Sequence, residues 1–244
     1  MYIDSLLSSY PRQRLPLPKE YQEIYTKEYE INRKGETTLT KLIQKIEGWM
    51  HNQVVQQGNL GSVLEIGGGT LNHLNYETPE KYDVIEPFQA LYKDSHNYSL
   101  VNKMYADISQ IPNNASYDRI ISIAVLEHLE NLPNIIARSA LMLSDNGQAQ
   151  HAFPSEGGFL WGLGWRFTTG ISYRLRTGLS YKTLMHSEHI NTSPEIISIL
   201  RYFFKTVQIF RAPLPFHHFS FYTYVNAKIP FRQRCIDYLQ KHSG

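Results

Sequence analysis

Residues 63–74 read VLEIGGGTLNHL, three consecutive glycines set directly after an apolar run. Few features restrict a fold so strongly. The run is rich in Val, Leu and Ile and reads as a strand, and the glycines let the chain turn tightly and bring its backbone N–H groups against a small ligand. Strand, glycine-rich turn and helix together make the edge at which doubly wound α/β sheets hold anionic or dipolar molecules. A tight turn without a ligand fits three glycines equally well, so the neighbouring residues have to decide.

Those neighbours remove the commonest ligands. A dinucleotide fingerprint needs its last glycine where Asn72 stands, and a phosphate loop needs a Gly-Lys pair where Asn72 and His73 stand. Glu65, just ahead of the glycines, repels phosphate and suits a ligand carrying an ammonium group and a sulfonium. Glu86 ends the next apolar run, about where such folds place a carboxylate on a ribose diol.

The rest of the chain repeats this alternation. From Ser62 onward come SVLEIG, YDVIEP, LVNKMYA, YDRIISIAV and GQAQHAF, separated by stretches long enough for helices or crossovers. Such a series predicts a mostly parallel sheet with helices on both faces. The clearest helix is expected over 133–143, closed by the turn Ser144-Asp145-Asn146-Gly147. After His151 the pattern lapses for 154–192, which is rich in Gly, Arg and aromatics. A helix opening at Ser193-Pro194-Glu195 follows, then two strand-like runs, TVQIFRA and FSFYTYVNAK, expected as an antiparallel pair at the sheet edge. Ahead of the glycine loop, residues 1 to about 17 read as irregular, and 18–33 and 36–56 carry helical spacing.

With 244 residues and 42% apolar side chains the chain can bury one substantial core. The expected organisation is one domain over 1–244: an N-terminal helical extension (1–57), a core (58–153), an inserted cap (154–192) and a C-terminal helix with the closing strand pair (193–244). The balance of 24 basic and 22 acidic residues gives no global field towards nucleic acid or an anionic membrane. The lone Cys235 makes no internal disulfide, the N-terminal residues lack a long apolar segment, and no run reaches spanning length. A cytoplasmic location and no stable membrane insertion are the expectations; the oligomeric state is not legible.

These ordered motifs resemble the class I S-adenosylmethionine-dependent methyltransferases. LEIGGG resembles that family's first motif, VIEP its second, YADISQIP its third and YDRIISIAVLEHL its fourth. The resemblance implies a Rossmann-like methyltransferase fold, a doubly wound, mostly parallel seven-stranded sheet with an antiparallel edge strand, N-terminal helices and an inserted cap. It implies S-adenosyl-L-methionine as cofactor, held by Glu65, Gly67, Gly68, Gly69, Asn72, Glu86, Pro87, Asp107, Ile108, Ala124 and Leu126. Leu71 departs from the pattern, standing where the fuller first motif has a further glycine. PSEGGFLWGLGW and EHINT are similar to a bacterial branch associated with cell-surface polysaccharide synthesis.

A sulfonium methyl donor is already activated, so the protein has chiefly to hold donor and acceptor in line; an alcohol acceptor also needs a base. His128, His151, Glu156 and His189 lie at or beyond the expected ends of the fourth and fifth strands. His128, Glu156 and His189 are the catalytic candidates, each with an alternative as a cap or pocket wall. The pair His186 and His189 has only weak metal spacing, and His217-His218 reads as a loop edge.

Further motifs of the family narrow the acceptor. The Asn/Asp-Pro-Pro-aromatic signature of base-amine methylation is replaced by VLEHL, no cysteine stands near the fourth strand, and Asp145-Asn146 precedes the fifth strand instead of following it. No metal is therefore expected. In the cap, Trp161, Trp165 and Arg166 are the expected acceptor contacts, suited to stacking on a sugar face or ring and to pairing with an acidic group; a cap that merely covers the core is the alternative. The resulting expectation is metal-independent O-methylation of a small-molecule acceptor, a sugar or glycolipid-like compound, with no nucleic-acid partner. Two alternatives stay open: methylation of another small molecule such as a natural-product or quinone-like ring, and a catalytically silent cofactor-binding or scaffold protein.

Overall fold

The computed structural model describes residues 2–21, 24, 48–56 and 61–242. Its centre is a seven-stranded sheet in the order β3-β2-β1-β4-β5-β7-β6. The strands are β1 (Ser62–Ile66), β2 (Lys81–Ile85), β3 (Lys103–Tyr105), β4 (Tyr117–Ile123), β5 (Leu143–Pro154), β6 (Phe204–Pro213) and β7 (Ser220–Pro230). The first five pair in parallel, and β7 runs antiparallel between β5 and β6. The order reverses between β1 and β4. At such a switch the loops after adjacent strands diverge and leave a crevice at their carboxyl ends.

Alternate residues of each strand enter two apolar layers, as period-two side-chain geometry requires. Leu64, Ile66, Ile120, Phe153 and Val225 face one layer, closed by the helices Tyr2–Ser8, Leu132–Leu141, Ser193–Phe203 and Arg232–Lys241. Val63, Val84, Ile121, Ala152 and Tyr224 face the other, closed by Met50 and Val54 of the helical residues 48–56 and by Leu71 and Leu74 beyond the glycine loop.

Two sequence expectations need correction, and two helices add to the reading. Residues 1–17 contain the helix Tyr2–Ser8, whose Leu6 and Leu7 sit in the core with Tyr10. The helix expected over 133–143 ends at Leu141, and 144–147 lie inside β5: Tyr117 pairs with Leu143 but Arg119 with Gln148, so the turn-forming residues bulge from the strand without ending it. The helix expected to open at Ser193-Pro194-Glu195 does so, and Thr192 just ahead of it is the cap, its backbone N–H and hydroxyl both donating to Glu195. The helix Arg232–Lys241, which buries Cys235 and Tyr238 and packs Leu239 against the core, was not expected. Most of the helices expected over 18–33 and 36–56, and the boundary at 57/58, lie outside the described residues.

Residues 154–192, read as a lapse in pattern, form three helices, Phe159–Trp165, Ile171–Thr177 and Tyr181–Glu188, the first two joined by a π turn over Arg166–Gly170. Gly164 lets this segment close onto β7, since a Cβ there would stand 2.9 Å from the Phe221 ring. The segment thus becomes a wall at the carboxyl ends of β4 and β5.

Candidate active site

Two cavities meet at that edge. One, of about 260 Å³, is lined by the glycine loop, Glu65, Asn72, His73, His51 and Ile123–Val125. The other, of about 180 Å³, is lined by Glu127, His128, Trp161, Trp165, Thr169, Tyr181, His189 and Tyr222. Met50 and Ala124 belong to both. Ala124 holds φ at 55°, a left-handed conformation that costs a residue with a Cβ about 1–3 kcal/mol and is maintained only where the surroundings enforce it. Its N–H donates to the Ala152 carbonyl at 2.8 Å, fixing the turn that divides the cavities.

Backbone geometry builds the first cavity. Gly67 has φ 73°, and a Cβ on it would stand 2.5 Å from Val125, so neither the turn nor the close approach of the loop after β4 accepts a side chain. A Cβ at Gly69 would meet nothing within 4 Å. The Gly69 N–H donates to Glu86 Oε2 and the Phe88 N–H to Glu86 Oε1, both at 2.9 Å, so this buried carboxylate ties the loop to the end of β2. Glu65 is buried and accepts from the Tyr82 hydroxyl at 2.8 Å; burial pushes its carboxyl pKa up, against the charge of His73 and the bond from Tyr82. A cationic ligand group would relieve that desolvation.

Beneath the loop runs a buried polar chain. His51 Nδ1 lies 3.0 Å from His73 Nδ1, His73 Nε2 lies 2.7 Å from Glu77, and Glu77 pairs with the fully buried Arg119 at 2.8 Å. Burial, with His73 beside it, pushes the His51 pKa down to about 4, so this ring is neutral near pH 7.

Side chains from distant segments build the second cavity. His189 Nδ1 is 2.9 Å from Glu156 Oε2, which also accepts from Trp161 Nε1. Burial opposes the charge of His189, but the Glu156 bond and the charges of Glu127, Glu156 and Glu188 outweigh it and raise its pKa. Burial likewise opposes ionisation of Glu156, and its bond to His189 turns the balance and lowers its pKa. His128 donates from Nδ1 to the Glu188 carbonyl at 2.9 Å, leaving Nε2 3.7 Å from Glu127 Oε1. The rings of His128 and His189 meet edge to face at 4.8 Å. Glu127 is buried, and its Oε2 has no hydrogen-bond partner among the described residues.

Asn191 holds this group together, donating to the Leu126 and Leu129 carbonyls at 2.8 Å and accepting from the Tyr10 hydroxyl, while the Ile190 and Asn191 N–H groups donate to the Glu127 carbonyl. Arg12 ties the same segment down through Glu195 at 2.7 Å. The N-terminal residues read as irregular are therefore a strap across the site.

The expected residues divide accordingly. Glu65, Gly67–Gly69, Asn72 and Ala124 line the first cavity, with Glu86 behind the loop. His128, Trp161, Trp165 and His189 line the second, with Glu156 bonded to His189. Asp107 caps the turn Ile108–Gln110 through the Ser109 N–H, while Ile108 and Leu126 are buried in the core; with the exposed Pro87 they lie outside both linings. Arg166 is exposed over the Trp165 ring, 4.8 Å from its centroid, and is not brought into the second cavity. His151 is not placed to act as a base: it is fully buried against Ser122, and burial pushes its pKa down to about 3. Met50, His51 and Tyr222 were not anticipated. Glu127, in the fourth motif, and Tyr181, among the aromatics of the cap, were legible, and both line the second cavity.

A family model described as a methyltransferase domain matches residues 28–192, more than half of the chain. The chain belongs to this methyltransferase family. Its methyl donor is S-adenosylmethionine, and it is an enzyme of that type. Among solved structures the chain is similar to the plantazolicin methyltransferase BpumL, solved with a monoazolic desmethylPZN analog and SAH, at 14% identity and TM-score 0.56 over 93% of this chain and 97% of that one. It is also similar to an S-adenosylmethionine-dependent methyltransferase from Clostridium acetobutylicum, at 10% identity and TM-score 0.53 over 84% and 99%. A possible histamine N-methyltransferase from Thermotoga maritima matches at 13% identity and TM-score 0.54 over 77% and 96%. At these identities the likeness is one of fold. No curated protein matches the chain.

Proposed function

We propose that this methyltransferase transfers the donor's methyl group, without a metal ion, to a hydroxyl of a sugar or glycolipid-like acceptor bound in the 180 Å³ cavity. The Glu156–His189 pair carries this reading. With Nδ1 bonded to a carboxylate, His189 is held in the tautomer whose Nε2 accepts a proton, which is what an alcohol needs and a free amine does not. Four aromatic rings, Trp161, Trp165, Tyr181 and Tyr222, together with the unpartnered Glu127 Oε2, suit a polyol: rings lie on its C–H faces and the carboxylate oxygen takes a second hydroxyl.

The 260 Å³ cavity fits the donor. Glu65 would hold its ammonium end, the open side of Gly69 would lie against it, and Glu86, whose two oxygens already accept from Gly69 and Phe88, has lone pairs left for the ribose diol. When bound, S-adenosylmethionine supplies a sulfonium-activated methyl group. The chain's own work is orientation and deprotonation: Met50 and Ala124 set where the cavities meet, His189 takes the hydroxyl proton on Nε2, and Glu156 supports the imidazolium that results.

Incubating the protein with labelled donor and a panel of neutral and acidic nucleotide-sugars, glycolipids and phenolic rings tests the reading. Label on a sugar hydroxyl is the expected result; label confined to ring compounds would move the assignment to the natural-product class that the same aromatic lining admits.

A further inference from the structure

The segment 159–177 carries two apolar stripes instead of one. Trp161, Trp165, Thr169 and Tyr173, at four-residue intervals, turn inward, the first three onto the acceptor cavity and Tyr173 into the interior. Two positions out of phase, Phe159, Leu163, Phe167, Ile171 and Leu175 run along the opposite side. A stripe at four-residue spacing drifts around a helix of about 3.6 residues per turn, and the wider π turn at Arg166–Gly170 takes back part of that drift. Four of these five are exposed, Leu175 by 83%, Phe167 by 69%, Phe159 by 61% and Ile171 by 47%, and Leu163 is half-buried. The turn His217–Phe219 packs against Phe159–Trp165 and brings the exposed Phe216 and Phe219 to the same region.

A water-soluble helix normally keeps its outer face polar, and a helix apolar all round is one that lies against something apolar on both sides. The flanking charge names the chemistry. Between Glu156 and Glu188 the chain holds Arg166, Arg174, Arg176 and Lys182 and no Asp or Glu, although acids and bases nearly balance over the whole sequence. An exposed apolar stripe flanked by arginines is the composition of a helix that lies in a membrane interface, with rings and leucines in the acyl boundary and cations at anionic headgroups. No helix among the described residues is long and apolar enough to cross a membrane, which leaves surface docking.

We propose that the outer face of 159–177 docks on an anionic lipid surface, so that one helix touches the bilayer on one side and walls the acceptor cavity on the other. The cavity would then sit at headgroup level, the place for a lipid-carried sugar. This last step rests on the acceptor reading given above; the docking itself does not.

The test is co-sedimentation with vesicles of phosphatidylcholine alone and of phosphatidylcholine with phosphatidylglycerol, with neither donor nor acceptor present. Anionic vesicles should bind the chain at least roughly tenfold better than neutral ones, with the difference shrinking as salt is raised. The double variant Phe167→Ser/Leu175→Ser should lose that binding while keeping wild-type melting temperature, donor affinity and turnover of a water-soluble acceptor. Arg174→Glu should weaken anionic binding without touching the apolar stripe, and decides the matter if the double variant folds poorly. Failure of the native chain to bind either vesicle, equal binding to both, or undiminished binding by the variants would each overturn the proposal. So would a dimer broken by the same substitutions in a chain that ignores vesicles, because a second copy would then be what covers the stripe. Methylation of soluble hydroxyl acceptors without vesicle binding removes this inference alone; vesicle binding without any hydroxyl acceptor removes the acceptor reading alone.

Discussion

The two cavities sit side by side and are made by opposite means. The donor side is backbone: a glycine loop, two strand ends and a carboxylate, Glu86, that is bonded to the loop it serves. The acceptor side is side chains from 50, 127–128, 161–189 and 222, held in register by Asn191 and the N-terminal strap. Their histidines differ in the same sense. Burial leaves His51 on the donor side too weakly basic to hold a proton near pH 7, whereas carboxylates around His189 raise its pKa. A pocket for a cationic ligand gains from neutral neighbours, and a pocket that must take a proton gains from a carboxylate behind its base. The same residue type thus serves two purposes through its surroundings alone.

The sharpest way to break this contrast is His189→Ala. Loss of a general base should lower kcat by about 10²–10⁴-fold, with donor affinity by calorimetry unchanged. In the native chain kcat/KM should rise with pH through an inflection above the ordinary histidine value near 6.5, since the raised pKa keeps the ring protonated until then. Glu156→Gln, which removes the first support of that pKa, should move the inflection down. An unmoved inflection would remove Glu156 as a positioning residue for the base.

Glu86→Ala probes the other cavity. Losing a charged acceptor costs about 1.5–3 kcal/mol, so donor and SAH should bind roughly tenfold to a hundredfold more weakly, with the acceptor's KM little changed at saturating donor. Unaltered calorimetric affinity would show that this carboxylate only staples the loop. Trp161→Ala should do the reverse, raising the acceptor's KM roughly tenfold and sparing donor affinity, because it removes about 0.5–1.5 kcal/mol of stacking together with its buried area. Each variant counts only if its melting temperature is that of the parent.

Stability should follow pH in a direction the donor-side and core histidines set. The folded pKa values of His51 and His151, about 4 and about 3, lie below the ordinary value near 6.5. In that interval the unfolded chain binds more protons. Their contribution is therefore complete above about 6.5 and lost as pH falls towards 4 and then 3. His189 acts in the opposite sense, contributing below 6.5 and losing its share as pH rises through its raised value. Melting curves across this range should show the fall on the acid side, and His151→Gln should flatten it. The smallest effect expected is none: EDTA should leave turnover intact. Glu127, His128 and His189 place ligand-type atoms within 4.8 Å of one another, so activity lost on chelation and restored by zinc or manganese would overturn metal independence directly.

How far the sequence is legible follows the same division. The glycine loop, the strand alternation and Glu65 and Glu86 are readable because strand periodicity and turn chemistry act over a few neighbouring residues, and the donor cavity is built from just such short pieces. The bulge at 144–147 misled, since turn-forming residues look alike whether a strand starts after them or runs past them. The strap at 2–14 and Met50 were not legible, because what they do depends on partners far away in the chain, Tyr10 on Asn191 and Arg12 on Glu195. The cap shows the limit most clearly. The sequence determined that this segment is rich in Gly, Arg and aromatics, and hydrophobicity alone cannot rank Trp161 and Trp165 over Phe159 and Phe167. Only the tertiary structure chose the side: Gly164 permits close contact with Phe221, the tryptophans then reach Glu156 and the cavity, and the phenylalanines are left outside.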